Sequence, residues 1–369
     1  MDFDLSDEQR LLQQTVAQLL ENECPPSRLR ELYDDEVGYD PKLWKALAEL
    51  GVAGIHLPEA YGGSELEILD LAVVAEILGS QAAPVAFLGH SLASHAIALA
   101  GSDAQKERWL PELISGDRLA TVALAEAGGV WLPDRWTLVA ASTGSGTRLS
   151  GASLSGIKES VELAEHADLF VVGLEGGRLG VVERGAPGVE IQRVESADRT
   201  RRLGRVAFEG APCELLGSGA SDTTSRVRDL GLVLLAADAF GGASTLVERS
   251  VEYAKSREQF GVTIGHFQAL KHQLATMAVE IEPARALYWY AAHAQDHISS
   301  EAERSAAIAK SHVTERFQQI ARDAVEAHGG IGFTWEGDVQ IWFKRAMFDR
   351  VFLGTPRLHQ ARAADLAGW

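Results

Sequence analysis

Cysteine is nearly absent from this 369-residue chain: Cys24 and Cys213 are the only two, and they lie far apart. With no CxxC and no histidine cluster read at ligand spacing, neither a disulfide framework nor a structural zinc is expected, and the chain suits a reducing compartment. A basic block is missing as well. The formal net charge of −18 opposes attraction to phosphate backbones and anionic lipid, so nucleic-acid and membrane partners are not expected. No stretch is read as reaching the ~18 apolar residues of a membrane span. The first residues, Met1 to Glu8, are acidic where a signal peptide is basic and then apolar, so the expected location is cytoplasmic. Finally, no GxGxxG follows a strand, no regular βαβ alternation occurs and no internal repeat is present, which excludes a Rossmann domain. Any nucleotide cofactor has to be held in another way.

What is there reads as three modules. Ser6 followed by Gln9 is a capping-box pattern, and Leu11, Leu12, Val16, Leu19 and Leu20 then recur at helical spacing. Helical periodicity returns over 41–50, 66–78, 89–100 and 103–114, with breakers such as Tyr61-Gly62-Gly63 between. Residues 1–115 are therefore expected to be a helical domain. Sixteen of the 36 glycines then fall between Gly128 and Gly219. There, short β-rich runs (169–174, 179–182, 188–191, 205–208) alternate with turn pairs such as Gly176-Gly177, which predicts a β domain over 116–220. From 221 to 369 long helices return. Phe267, Leu270, Leu274, Met277 and Ile281 mark one apolar face, and Ala307, Ile308, Val313, Phe317, Ile320 and Ala324 another. The fold class expected is mainly α with a central β domain.

Three places carry candidate chemistry. In the fourteen residues from Leu230 to Ala243, Asp238 is the only polar side chain. A desolvated carboxylate in an apolar helix has its proton affinity raised, as suits a base toward a weak carbon acid. The other reading, a buried Asp satisfied by an arginine or a helix N-terminus elsewhere, stands beside it. In Tyr253 to Gly261, Arg257 suits a pyrophosphate and Phe260 a flat ring, although an arginine at a helix C-terminus also simply complements the dipole. In Ala327 to Glu336, Gly329, Gly330 and Gly332 exceed what a C-cap needs, so either a ligand or a neighbouring subunit approaches that backbone, or the chain turns a structural corner there. His328, His266 and His272 stand alone and read as packing or capping residues, not metal ligands.

Taken in order, five stretches resemble the acyl-CoA dehydrogenase family across nearly the whole chain: Leu57 to Gly63, Gln105 to Pro111, Gly156-Ile157-Lys158 with Ala167-Asp168, Arg257 to Gly261 with Phe267-Gln268-Ala269, and His328 to Glu336. The resemblance implies a helical N-domain, a β-barrel middle domain against which flavin and thioester lie, and a C-terminal four-helix bundle forming an oligomer core. It also implies FAD as cofactor, α,β-dehydrogenation of an acyl-CoA to a 2-enoyl-CoA, and electron transfer to an electron-transfer flavoprotein. The positions matching the family's cofactor grip are Arg257, Phe260, Gln268, Gly329 and Gly330, with Thr355 matching a threonine that approaches the flavin.

Two departures stand out. Leu353 occupies the commonest position of the family's base and Gly231 a second one, and neither takes a proton. The carboxylate in Ala236-Ala237-Asp238-Ala239 matches a third location, so Asp238 is the candidate base. Glu326 replaces a glutamine that bonds the cofactor in relatives, and beside a pyrophosphate it repels by roughly several kcal/mol if unscreened. Such losses resemble heteromeric, steroid-degrading members in which two unlike subunits build each site. The expected assembly is a heterotetramer with a homologous subunit, alternatively a homotetramer. Besides a catalytic subunit with Asp238 as base, two readings remain open: a catalytically silent partner that completes another chain's pocket, and a flavin oxidase on the same scaffold.

Overall fold

A computed structural model describes residues 4–142, 152–217, 220–334 and 336–369. Four of the glycines counted above (Gly144, Gly146, Gly151 and Gly219) and Trp335 of the glycine-rich stretch lie outside the described residues. The chain begins with six helices: α1 (Asp7–Glu23), α2 (Pro26–Asp34), α3 (Pro41–Glu49), α4 (Ile68–Ser80), α5 (Phe87–Ala100) and α6 (Asp103–Ile114). The capping box at the start of α1 is complete: Gln9 N–H donates to Ser6 Oγ at 3.1 Å, and Ser6 N–H donates to Gln9 Oε1 at 3.0 Å. Two orphan donors of the first turn are thereby satisfied. Ser102 and Gln105 repeat the device on α6.

Strands follow: β1 (Ala120–Ala123), β2 (Ala140–Ser142), β3 (Ala152–Glu162), β4 (Leu169–Leu174), β5 (Arg178–Glu183), β6 (Val189–Val194) and β7 (Leu203–Leu215). Among the described residues they form one hydrogen-bonded path in the order β1-β4-β5-β7-β3-β2, with β6 also paired to β7. Pairing is antiparallel except between β1 and β4. The long strands β3 and β7 carry register shifts near Leu154 and Lys158, which bend the sheet around a core that includes Leu154, Phe170, Val172, Val206 and Phe208. The chain then returns to helix: α7 (Ala220–Ser256), the β8–β9 hairpin (Glu258–Gln259 and Val262–Thr263), α8 (Gln268–Ile281), α9 (Ala284–His297), α10 (Ser299–His328), α11 (Val339–Val351) and α12 (Pro356–Leu366). Leu274, Met277 and Ile281 of the expected α8 face are buried, whereas Leu270 is half-buried and Phe267, just before the helix, is exposed; the expected α10 face is buried apart from half-buried Ile308.

Two compact units divide this chain differently from the three expected modules. One comprises residues 1–35, 72–83 and 232–369, and the other residues 36–71 and 84–231. Segment 1–115, expected as one domain, is shared between the two units. Its helices α3, α5 and α6 belong to the unit that holds the sheet, whereas α1, α2 and most of α4 belong to the unit that holds the C-terminal helices. In the latter, Arg30 of α2 forms a bidentate pair with Asp338, just before α11, at 2.6 and 3.0 Å. Lys344 of α11 lies over the Tyr33 ring at 5.1 Å.

α7 corrects one expectation: by length and composition, part of Asp222–Ser256 is apolar enough to cross a membrane. That window is mostly buried within the protein, as a core helix that is apolar all round must be. It crosses α4 with backbones in contact. A Cβ on Gly79 would run into the carbonyl of Asp238, and one on Gly241 into the carbonyl of Glu76. Gly241→Ala is expected to lower stability by about 2–3 kcal/mol, because neither backbone can yield without shifting a whole helix. Gly185, with open space where its Cβ would stand, is the control: Gly185→Ala should stay within about 0.5 kcal/mol. Thermal and urea denaturation of the two variants checks both, and equal behaviour would mean that the crossing is looser than described.

Candidate functional site

Asp238 sits on the buried side of α7, 2% exposed. Its carboxylate faces Arg345 of α11, which donates from Nε to Oδ1 at 2.8 Å and from Nη2 to Oδ2 at 2.7 Å. Neither side chain reaches solvent to any extent. The geometry therefore gives Asp238 the second of the two roles open to it in the sequence. A bidentate guanidinium occupies both oxygens, and the carboxylate is sealed from solvent. As a proton acceptor the group is shut off; as a lock between α7 and α11 it is well built.

A second buried carboxyl in the same unit escaped sequence reading. Glu76 of α4 accepts from Tyr288 Oη, which in turn accepts from Trp289 Nε1 at 2.7 Å. Arg285 lies 3.5 Å from the other oxygen and over the Phe240 ring at 4.6 Å. Burial raises the proton affinity of Glu76 even against these donors, and burial with the neighbouring carboxylate pushes the Tyr288 phenol well up. The signal was available: Glu76 is the only charged residue in the apolar run Leu71 to Gly79, as Asp238 is in its own.

The sheet unit holds two further buried pairs that sequence reading missed. Glu162 and Arg201 meet at 2.6 Å, and Glu162 also accepts from the Gly89 N–H at 2.8 Å. Lys158, from the Gly156-Ile157-Lys158 stretch, pairs with Glu126 at 2.8 Å and lies 5.2 Å from the Trp136 ring centroid. Burial alone would raise the proton affinity of Glu126, but donation from Lys158 and Thr137 outweighs it and holds the group down to about 2.

Most of the expected cofactor residues gather where three helix ends meet. Tyr253, one turn before Arg257, stacks on His328 with ring centroids 4.5 Å apart, joining the end of α7 to the end of α10. Gln273 of α8 reaches Glu326 of α10 at 3.5 Å. Arg257 directly follows α7 with its guanidinium exposed and, among the described residues, without a hydrogen-bond or ion-pair partner. Gln268 opens α8, its amide 3.2 Å from His272. Gly329 follows α10 at φ +62, and both it and Gly330 are exposed with nothing within 4 Å of where a Cβ would stand. A cavity of about 520 Å³ opens beside Glu326, lined also by Arg322, Phe333 and Lys344.

Phe260 is the most informative member. It and Gly261 are the two central residues of the β8–β9 turn, with φ +56 and +77. This is the geometry in which asparagine and glycine are favoured, and a bulky side chain there costs about 1–2 kcal/mol. The ring is 93% exposed, touching only the edge of Phe267 at 6.1 Å among its ring contacts. The turn thus keeps a strained aromatic residue in water, as strained residues at binding sites are kept. Thr355 stands apart from this group: it is the N-cap of α12 and accepts from Leu358 N–H. Before it, Leu353 is buried with φ +59, and its carbonyl is 2.9 Å from His359 Nε2.

An unpaired guanidinium, an amide, two open glycine backbones and a presented aromatic ring suit the phosphate and adenine end of a dinucleotide. Glu326 is the one acidic member of the group. These residues lie on an open surface of one chain, so they form part of a site. Helices around a central sheet, with these residues at the helix ends, suit a flavoprotein, and comparison with known proteins gives the family. Residues 6–117 match the acyl-CoA dehydrogenase N-terminal domain and residues 224–365 the acyl-CoA dehydrogenase C-terminal domain. The chain is 34% identical to the acyl-CoA dehydrogenase IpdE2 of Mycolicibacterium smegmatis over 96% of each protein. Among solved structures, a chain of the Tcur3481-Tcur3483 steroid ACAD superposes with a TM-score of 0.90 at 31% identity, covering 98% of both. A chain of the ChsE4-ChsE5 complex of Mycobacterium tuberculosis does so at 0.89 and 27%, covering 100% of this chain and 99% of that one. The protein belongs to the acyl-CoA dehydrogenase family, oxidoreductases whose cofactor is FAD.

Two predictions follow from this geometry. Asp238→Ala leaves Arg345 buried and uncompensated and should cost about 3–5 kcal/mol in thermal denaturation, whereas Asp238→Leu with Arg345→Met should recover most of it. A fully stable Asp238→Ala protein with no activity would restore Asp238 as a base. Phe260→Asn should instead stabilise the isolated chain by about 1 kcal/mol by relieving the left-handed strain, while weakening FAD retention in the assembled enzyme. Loss of both stability and FAD would show that the ring is part of the core.

Proposed function

We propose that this chain is one subunit of a composite, FAD-dependent acyl-CoA dehydrogenase, pairing with a homologous chain that supplies the catalytic base. The observation that carries the reading is the contrast within one unit: Asp238 is locked by Arg345, whereas Arg257 and Phe260 are exposed and, in the case of Phe260, strained. A chain that keeps the grip and has its candidate base shut off serves a site completed elsewhere. That two solved relatives carry paired names, one of them described as a steroid ACAD, supports both a heteromeric assembly and a bulky, steroid-type acyl-CoA as substrate.

In this reading Arg257 pairs with the pyrophosphate, Phe260 covers the adenine face, Gln268 donates to the adenylate, and Gly329 and Gly330 let it approach the backbone without a Cβ in the way. Glu326 weakens that grip. When bound, FAD would supply the hydride acceptor for the substrate's β-hydrogen and the homologous chain the base for its α-proton, so that an acyl-CoA would leave as its 2-enoyl-CoA and the electrons would pass to an electron-transfer flavoprotein.

Flavin content tests this. The chain purified alone is expected to be colourless, and co-expression with its homologue should yield a yellow complex that loses its flavin on Arg257→Ala. Glu326→Gln should tighten flavin binding about tenfold, the equivalent of 1.4 kcal/mol of relieved repulsion after solvent screening. A yellow, active homo-oligomer with one flavin per chain would sink the composite site.

A further inference from the structure

Sequence reading expected no histidines at ligand spacing, yet α9 ends in a pair one helical turn apart, His293 and His297. Positions i and i+4 share a helix face, and here the two rings lie 4.4 Å apart at a 33° tilt. Their ligand nitrogens fall within 4.8 Å of each other. Two nitrogens bound to one tetrahedral ion at ~2.05 Å stand about 3.4 Å apart, so closure takes modest rotation of the exposed His297 ring toward the half-buried His293 ring. His297 is exposed and His293 half-buried, so an ion there keeps positions open to water.

From this juxtaposition we propose that His293 and His297 chelate a borderline divalent ion of the zinc class. Neutral imidazoles select zinc, nickel or copper over magnesium and calcium, which require oxygen donors. The chain's net charge of −18 raises the local concentration of such cations.

Its place in the fold gives the ion something to do. Ile298 is at once the C-cap of α9 and the N-cap of α10, with no side-chain cap hydrogen bond. One residue therefore turns the chain between two long helices, and the last turn of α9 carries orphan carbonyls. Gln295, on that turn, donates to the Ala302 carbonyl of α10 at 3.1 Å. Both ligands lie on α9, so an ion bridging His293 and His297 stiffens this last turn, the one from which Gln295 reaches α10.

Isothermal titration of the full chain with Zn²⁺, and separately with Mg²⁺, tests this. One Zn²⁺ per chain should bind with micromolar affinity and raise the melting temperature, while Mg²⁺ gives no heat. His297→Ala, at an exposed position, should weaken Zn²⁺ binding about tenfold or more and abolish the thermal shift, with His293→Ala behaving alike. Absence of Zn²⁺ binding, or binding unchanged in His297→Ala, would overturn the proposal. Because titration reads neither flavin nor turnover, its failure would leave the composite-site reading untouched.

Discussion

The C-terminal unit depends on one ion pair in an otherwise apolar place. Asp238 and Arg345 are sealed from water, and a buried pair persists only where geometry repays desolvation. Here two parallel hydrogen bonds do so. The pair fixes α11 against α7 in register, and α7 in turn lies on α4 with Gly79 and Gly241 at the contact. Trp342, one turn from Arg345, donates its indole N–H to the Gly79 carbonyl at 3.1 Å, so the same crossing is held from three sides. With α7 and α10 placed, their ends meet through Tyr253 and His328, and the cofactor cradle follows from that meeting.

In the proposed composite site this surface is covered by FAD or by the homologous chain. Several interior charges of this unit are paired, among them Asp238 with Arg345 and Glu76 with Tyr288, whereas the Arg257 guanidinium has no hydrogen-bond or ion-pair partner among the described residues and Phe260 is held out by a strained turn. Such expense on a surface makes sense where a ligand or another subunit covers it. Glu326 belongs to the same surface and works against it, so the grip is partial. A family fold with a partial grip and an enclosed aspartate is consistent with division of labour between homologous chains, since a fold can keep its architecture while the site it carries is redistributed.

Much of this was legible in the sequence because the responsible physics is local. Capping at Ser6 and Ser102, the alternating and helical patterns, and the paired glycines at 176–177 all fall within a few residues of the structure they direct. Other features were not legible. β1 and β3 were passed over because Ala120–Ala123 is a short apolar run indistinguishable from buried helix, and because β3 is broken by bulges that spoil its alternation. The division into units was also hidden: α4 looks like its neighbours in sequence, and only packing assigns most of it to the C-terminal helices.

The clearest boundary runs through Asp238. By itself the sequence determined that a lone carboxylate would be buried in α7, that Arg257 and Phe260 would sit at a helix end and turn, and that glycines would open the backbone after α10, since composition and spacing over a few turns suffice for each. Only the tertiary structure decided what the buried carboxylate does. Arg345 lies 107 residues further along the chain, and no local pattern tells a base awaiting a substrate from an anion already paired. Burial is a property of a segment, whereas the partner that sets a buried charge's chemistry is chosen by the packing of helices distant in sequence.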